Sequence, residues 1–117
     1  MTTFGRFIRE RRESLKREDP AYSVRRVAQR MGIQPSYLSK VERDEVSPPS
    51  EETTRKLAHE LNVDSDMLLA MAGKVSTDLQ DVIRKRPELF AELIRGLKEV
   101  PDHAVLRIVR EVRDGEW

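Results

Sequence analysis

The sequence contains no cysteine, which excludes disulfides, thiolate nucleophiles and thiolate zinc sites. Aromatic residues make up only 5% of the chain, and no Val-, Ile- and Thr-rich run alternates with polar residues, so we expect helices rather than a sheet. No apolar run approaches the roughly 18 residues of a membrane span, and no signal region opens the chain. We therefore expect a soluble, cytoplasmic protein without a removed leader.

Histidine is also scarce, since His59 and His103 are the only two. His59-Glu60 is similar to the start of a zinc-protease helix motif, but Val63 stands where that motif has its second histidine. The chain has no glycine-rich phosphate loop. The sequence thus predicts a protein that is not an enzyme and that has no catalytic residue, no metal site and no cofactor.

Charge is divided unevenly along the chain, although the net charge is only +1. Residues 1–47 carry 11 Lys and Arg against 7 Asp and Glu, a net charge of +4, whereas residues 48–117 carry 11 against 14, a net charge of −3. A DNA-binding face in the first part and a partner-binding face in the second would require such a division. Highly charged chains also reach such a difference by chance, so the division of charge does not by itself establish DNA binding.

Residues 23–42 have the pattern of two short helices joined by a glycine turn. Ser23 is a good N-cap, and apolar residues follow it at the spacing of one helical face. Gly32 comes where the chain must enter left-handed backbone space, which glycine does cheaply. Gln34 holds the next N-cap position, and Pro35 begins a second helix at a position where its missing N–H costs nothing. The apolar face of the first helix consists of Val24, Val27, Ala28 and Met31.

The second of these helices, residues 35–42, has a short apolar side and a polar side. Leu38 and Val41 are expected in the core, which leaves polar residues outward that can reach base edges or phosphates. Two amphipathic helices with a glycine between them also occur in ordinary helical hairpins. The flanking sequence is needed to separate the two interpretations.

The flanks extend the pattern from Phe4 to Gly73. The spaced residues are Ala28-x-x-x-Gly32-Ile33, Leu38-Ser39-x-Val41-Glu42, Pro48, Leu57-Ala58-x-x-Leu61-Asn62-Val63 and Leu68-Leu69. This arrangement resembles the helix-turn-helix family of lambda-repressor-like and xenobiotic-response-element (XRE) regulators. The resemblance implies a five-helix DNA-binding domain over residues 1–73, in which the helix 35–42 enters the major groove. The linker 17–22 is a few residues longer than is usual in the family.

Helical periodicity continues after Lys74. Ser76, Pro87 and Asp102 each open an amphipathic helix, so the whole chain is predicted to be all-α, with about three helices appended to the five. The last two helices carry more large apolar side chains than a short tail needs, and we expect residues 74–117 to form a homodimer. Two alternatives stay open: these helices cover the five-helix core, or they bind a toxin or a protease, as in an antitoxin or a phage-type immunity regulator.

The predicted function is that of a transcriptional repressor, which binds double-stranded DNA sequence-specifically, as a dimer on a palindromic operator. RNA binding ranks last, because the chain lacks an aromatic stacking platform. The resemblance also implies an ion pair between Arg12 and Glu42. The expected base contacts are Gln34, Ser36, Tyr37, Ser39 and Lys40, and the expected phosphate contacts are Arg9, Arg12, Arg25, Arg26 and Arg43.

Overall fold

The computed structural model describes residues 1–115 and 117, and over these residues the protein contains α-helices, one short 3-10 helix and no strand. The predicted all-α fold, with five helices followed by three, is confirmed. The chain divides into two compact units, which we call the head, Met1–Ser76, and the tail, Thr77–Trp117. The helices are α1 (Phe4–Lys16), α2 (Val24–Met31), α3 (Pro35–Glu42), α4 (Glu51–Leu61), α5 (Ser65–Met71), α6 (Thr77–Lys85), α7 (Pro87–Leu97) and α8 (Asp102–Asp114).

The turn between α2 and α3 follows from its local sequence. Ser23 caps α2, because its Oγ accepts a hydrogen bond from the Arg26 amide at 3.2 Å. Gly32 ends α2 with a φ of 73°, and the Ile33 amide then donates to the Ala28 carbonyl at 3.0 Å. The chain can therefore reverse within a few residues and begin α3 at Pro35.

The segment between α1 and α2 is ordered by its own cap. Asp19 accepts a hydrogen bond from the Ala21 amide at 2.9 Å through its Oδ1, and residues Pro20–Tyr22 form the 3-10 helix. The linker that the sequence marks as longer than usual is thus a structured turn, and it supplies the Tyr22 carbonyl to the interior of the head.

The head has one apolar core, to which α1 to α5 all contribute. Its centre is formed by aliphatic side chains that are almost completely hidden from solvent. Burying each such side chain contributes about 1.5–3 kcal/mol, so this core stabilises the arrangement of α2 and α3. The best-buried members are Ile8, Val27, Leu38, Leu57, Leu61 and Leu68.

The described residues of the tail form no comparable core. In the part of the tail that the structure describes, α6, α7 and α8 contain no buried residue. Each of these helices has an acidic residue in its first turn and a basic residue in its last, which suits the helix dipole. Across residues 1–115 and 117, every helix is too short or too polar to cross a membrane. The exposed apolar side chains of the tail include Leu79, Val82, Leu89, Leu93, Ile94, Leu106, Val109 and Val112.

Candidate nucleic-acid interface

The helix α3 has one buried side and one open side. Leu38 and Val41 are 1% and 2% exposed and belong to the core, where α3 packs against α1 and α2. On the open side, Ser36 and Lys40 are exposed and Ser39 is half-buried. These three polar side chains are therefore available to a ligand that approaches α3 from outside the head.

Gln34 and Tyr37 differ from the other predicted base contacts. Gln34 is exposed and occupies the N-cap position of α3, but its side chain makes no capping hydrogen bond there. Its amide is thus not committed to the cap. Tyr37 is half-buried and its ring packs against the core of the head, so much of this side chain serves packing.

Arg12 and Glu42 form an ion pair inside the head. Arg12 Nε lies 2.7 Å from Glu42 Oε2, and Arg12 Nη2 lies 2.9 Å from Glu42 Oε1. Arg12 Nη1 donates to the Tyr22 carbonyl at 3.1 Å, and the two residues are only 5% and 6% exposed. A buried charge is tolerated when it is paired and hydrogen-bonded in this way. These bonds give Arg12 a structural role, and its phosphate contact stays a prediction.

A second set of contacts fixes the end of α3 to the start of α1. The Asp44 carboxylate accepts hydrogen bonds from the Gly5 amide at 3.0 Å and from Thr3 Oγ1 at 2.6 Å. A Cβ on Gly5 would lie 2.3 Å from the Val41 carbonyl oxygen, so no other residue fits without a shift of the backbone. Asp44 itself has a φ of 57°, a conformation that aspartate tolerates better than most residues. Since Arg12 holds α3 as well, α1 fixes this helix through two sets of contacts.

The start of α2 and the middle of α3 border the same crevice. A cavity of about 200 Å³ is lined by Val24 of α2 and Ser39 of α3, together with three arginines and two glutamates, Arg9, Arg12, Arg43, Glu13 and Glu42. The cap residue Ser23 and the exposed Arg25 adjoin Val24 in the chain. Backbone N–H groups at a helix start and nearby arginines are what DNA phosphates bind, so this side of the head suits a nucleic acid backbone.

The cations of the interface fall into two groups. Arg25, Arg26 and Lys40 are exposed, and within residues 1–115 and 117 none of them has a carboxylate at ion-pair distance, although the charge of Lys40 contributes to lowering the pKa of Glu45. Arg9 and Arg43 are instead held by carboxylates: Arg9 Nε lies 3.3 Å from Glu13 Oε1, and Arg43 Nε lies 2.9 Å from Glu45 Oε1. We call the first group the free cations and the second the held arginines.

The held pair of Arg43 and Glu45 is bidentate. A second bond joins Arg43 Nη2 to Glu45 Oε2 at 3.2 Å. The hydrogen bond from Arg43 lowers the pKa of the Glu45 carboxyl below its ordinary value, and the same bond raises the pKa of Arg43. At neutral pH both partners are therefore charged and the pair is intact.

Two further arginines of the head have structural partners that sequence reasoning missed. Arg11 Nε donates to the Leu61 carbonyl at 2.9 Å and so satisfies the end of α4. Arg30 pairs with Glu60 at 2.7 Å, donates to the Ala21 carbonyl at 2.7 Å and lies over the Tyr22 ring at 5.5 Å from its centroid. No local pattern signals these bonds, because partners such as Leu61 and Glu60 lie 50 and 30 positions away.

A family model described as a helix-turn-helix domain matches residues 3–71. The match spans more than half of the chain and ends with α5, so it includes α2, the glycine turn and α3. The chain belongs to this helix-turn-helix family. Comparison with curated proteins and comparison with solved structures each give no significant match.

Membership of the helix-turn-helix family indicates a function for the head. The family match supports DNA binding by the head, with α2 and α3 as the two helices of the motif. In this helix-turn-helix protein the polar set on α3 and the free cations lie on those two helices, and α1 holds α3 in place. The tail lies outside the matched residues.

Proposed function

We propose that this protein is a sequence-specific transcriptional regulator of the lambda-repressor-like or XRE type, and that it acts as a repressor. The observation that carries the proposal is the open side of α3, where exposed polar side chains adjoin a crevice bordered by the start of α2. Lys40 is suited to guanine O6 and N7, and Gln34 to adenine N6 and N7. Ser36 and Ser39 add shorter contacts to the same groove, and Tyr37 reaches it with the part of its ring that is not packed.

Phosphate contacts in this proposal come from residues on both sides of the crevice. Arg25 and Arg26 lie in the first turn of α2, and their guanidinium groups have no carboxylate partner in the described residues. Arg9 and Arg43 reach the same duplex once they leave their carboxylates. Contacts of this kind set the orientation of the head on DNA, whereas base contacts set its sequence preference.

The proposed regulator binds a palindromic operator as a dimer formed by residues 74–117. One recognition helix covers few base pairs, and two heads related by a twofold axis discriminate much better than one. The tail supports this assembly because its apolar side chains are open to solvent, with Leu89 and Ile94 both 64% exposed. Large exposed apolar patches mark interaction sites in soluble proteins.

Selection of bound sites from random duplex DNA, at stated salt concentration, tests DNA recognition and dimerisation together. We expect a palindromic consensus, and selected sites without twofold symmetry would contradict the dimeric part of the proposal. Lys40→Ala and Ser36→Ala should each change the selected sequence. Lys56→Ala is the matched control, because Lys56 is an exposed lysine of α4 that pairs with Glu52. Unchanged sites with both α3 variants would overturn the assignment of the base contacts.

Sedimentation of the purified protein distinguishes the dimer from the antitoxin or immunity-regulator alternative. A dimer supports the proposed self-association. A monomer at concentrations well above those used for DNA binding would contradict it and favour a toxin or protease as the missing partner.

A further inference from the structure

The held arginines and the free cations pose a question that the proposed function leaves open. Both groups border or adjoin the crevice beside α3, yet only Arg9 and Arg43 have a carboxylate from the same chain bound to them. The partners are close in sequence. Glu13 lies one helical turn after Arg9, and Glu45 lies two positions after Arg43.

A DNA phosphate and a glutamate compete for the same guanidinium group. Both are oxyanions that accept two N–H bonds from an arginine. The pairs are exposed, with about half of each side chain of Arg43 and Glu45 open to solvent (50% and 50%). Exposed ion pairs are weak, so a phosphate held at the right place can displace the carboxylate.

We infer that Glu13 and Glu45 set the sequence selectivity of DNA binding by holding Arg9 and Arg43 away from phosphates until base contacts fix the duplex. This inference rests on the proposed function. On a random sequence, α3 gains no base contacts that could offset displacement of the carboxylates, and only the free cations bind the backbone. On the operator, base contacts hold the phosphates beside the arginines, and the exchange takes place.

Release of the held arginines would change the salt dependence of DNA affinity. Each arginine that binds a phosphate releases counterions and steepens the dependence of affinity on salt, by about 0.9 in the slope of log K against log salt concentration. A held arginine is neutralised by its glutamate and makes no such contribution. Random duplex should therefore be bound with a shallower salt dependence than the operator.

The test compares Glu13→Gln and Glu45→Gln with the unchanged full-length protein, by fluorescence anisotropy on the selected operator and on random duplex of equal length. Glu45→Gln frees Arg43, and Glu13→Gln frees Arg9. Glu13→Gln also removes a 3.9 Å contact with Arg12, which stays bound to Glu42. One added phosphate contact should raise affinity for random duplex about fivefold at about 0.15 M salt. Affinity for the operator should rise less, so that the ratio of the two affinities falls. The salt dependence on random duplex should steepen by about 0.9 for each variant.

Glu10→Gln is the matched control for the general effect of removing a negative charge. Glu10 lies on α1 like Glu13 and pairs with the exposed Arg6, with 2.9 Å between Arg6 Nε and Glu10 Oε1. Arg6 does not border the crevice beside α3, but with Glu10 it lines a neighbouring cavity that also includes Arg9 and Arg43. The control therefore also tests whether removing any nearby negative charge is enough. If Glu13→Gln and Glu45→Gln raise affinity for random duplex no more than Glu10→Gln does, the inference is overturned.

Removal of the arginine gives a second readout. Arg43→Gln should lower affinity for the operator and leave affinity for random duplex unchanged, and Glu45→Gln should have no effect on random duplex in the Arg43→Gln background. An equal gain with and without Arg43 would overturn the inference, because the glutamate would then act by repelling DNA directly. If the unchanged protein selects a DNA site but the variants leave the ratio of the two affinities unchanged, this inference is wrong and the proposed function still holds. Absence of salt-dependent duplex binding by the unchanged protein would defeat the proposed function as well.

Discussion

The head and the tail place similar amphipathic helices in very different surroundings. In the head, five helices share an apolar core in which residues such as Ile8 and Leu61 have no measurable exposure. In the tail, the described parts of α6, α7 and α8 contain no buried residue, and side chains such as Val112 stay 61% exposed. Amphipathic periodicity predicts that a helix has an apolar face, but it does not say whether that face is covered within the same chain.

The comparison assigns different origins of stability to the two units. The head can gain most of its stability from burial within the chain. The tail, with about 40 residues, belongs to the size range in which a unit usually needs an external source of stability such as oligomerisation. Four experiments test this difference, beginning with the largest expected effect.

Removing the buried carboxylate of the head should have the largest effect. Glu42→Ala removes both short hydrogen bonds to the buried Arg12 guanidinium and leaves it only the more distant Glu13, 3.9 Å from Nη2. We therefore expect the free energy of unfolding to fall by about 3–5 kcal/mol. Glu92→Ala in α7 is the control, since Glu92 is exposed and should change stability by no more than about 0.5 kcal/mol. Denaturant unfolding measures both values, and equal midpoints would contradict the structural role of the pair.

Truncating one leucine in each unit tests burial directly. Leu38→Ala should lower the free energy of unfolding of the head by about 2–5 kcal/mol, because it leaves a cavity in a closed core. Leu89→Ala removes the same atoms from an open surface, and for the monomer it should cost less than about 0.5 kcal/mol. Calorimetry at low protein concentration gives both values, and a large loss for Leu89→Ala would show that the tail has a core of its own.

A charged residue on the exposed apolar face of the tail tests whether that face forms the proposed dimer interface. Val109→Asp should weaken the proposed dimer about tenfold or more, since burying an unpaired carboxylate in an apolar interface costs more than the roughly 1.4 kcal/mol of a tenfold change. Val46→Asp is the matched control, because Val46 is an exposed valine of the head. Sedimentation velocity over a concentration series separates the two, and equal dimer fractions for both variants would remove α8 from the interface.

The smallest expected effect comes from exposed ion pairs, which occur in both the head and the tail. Arg113 and Asp114 in the tail, like Arg43 and Glu45 in the head, form an exposed ion pair, and in each the hydrogen bond raises the pKa of the arginine. The pKa of Glu45 is lowered, so its pair is present above the ordinary pKa of a glutamate and is lost as pH falls through the lowered value. NMR titration should show this lowered pKa, and Arg43→Gln should bring it back towards its ordinary value. A Glu45 pKa that is the same in both proteins would mean that the pair does not form in solution.

Local signals predict much of this fold. Ser23, Gly32 and Pro35 mark the ends of α2 and α3 because capping and left-handed turns depend on a few neighbouring residues. The confirmed all-α fold follows from the same rules together with apolar periodicity. Asp64 caps α5 with its carboxylate for the same local reason.

The remaining features depend on distant partners. The bonds from Asp44 to Thr3 and Gly5 join residues about 40 positions apart, and no spacing in the sequence predicts them. From the sequence, Arg9 and Arg43 are predicted as phosphate ligands because of their charge. The structure adds that each already has a carboxylate partner, which depends on side-chain geometry and not on the pattern of residues.

The close contact between Thr3, Gly5 and Asp44 has a practical consequence for work with this protein. An affinity tag fused ahead of Thr3 would emerge beside residues 41–44, at the end of α3. Such a tag, if basic, would attract DNA by itself, and a bulky one would crowd the end of α3. Binding assays should therefore use a protein from which any amino-terminal tag has been cleaved.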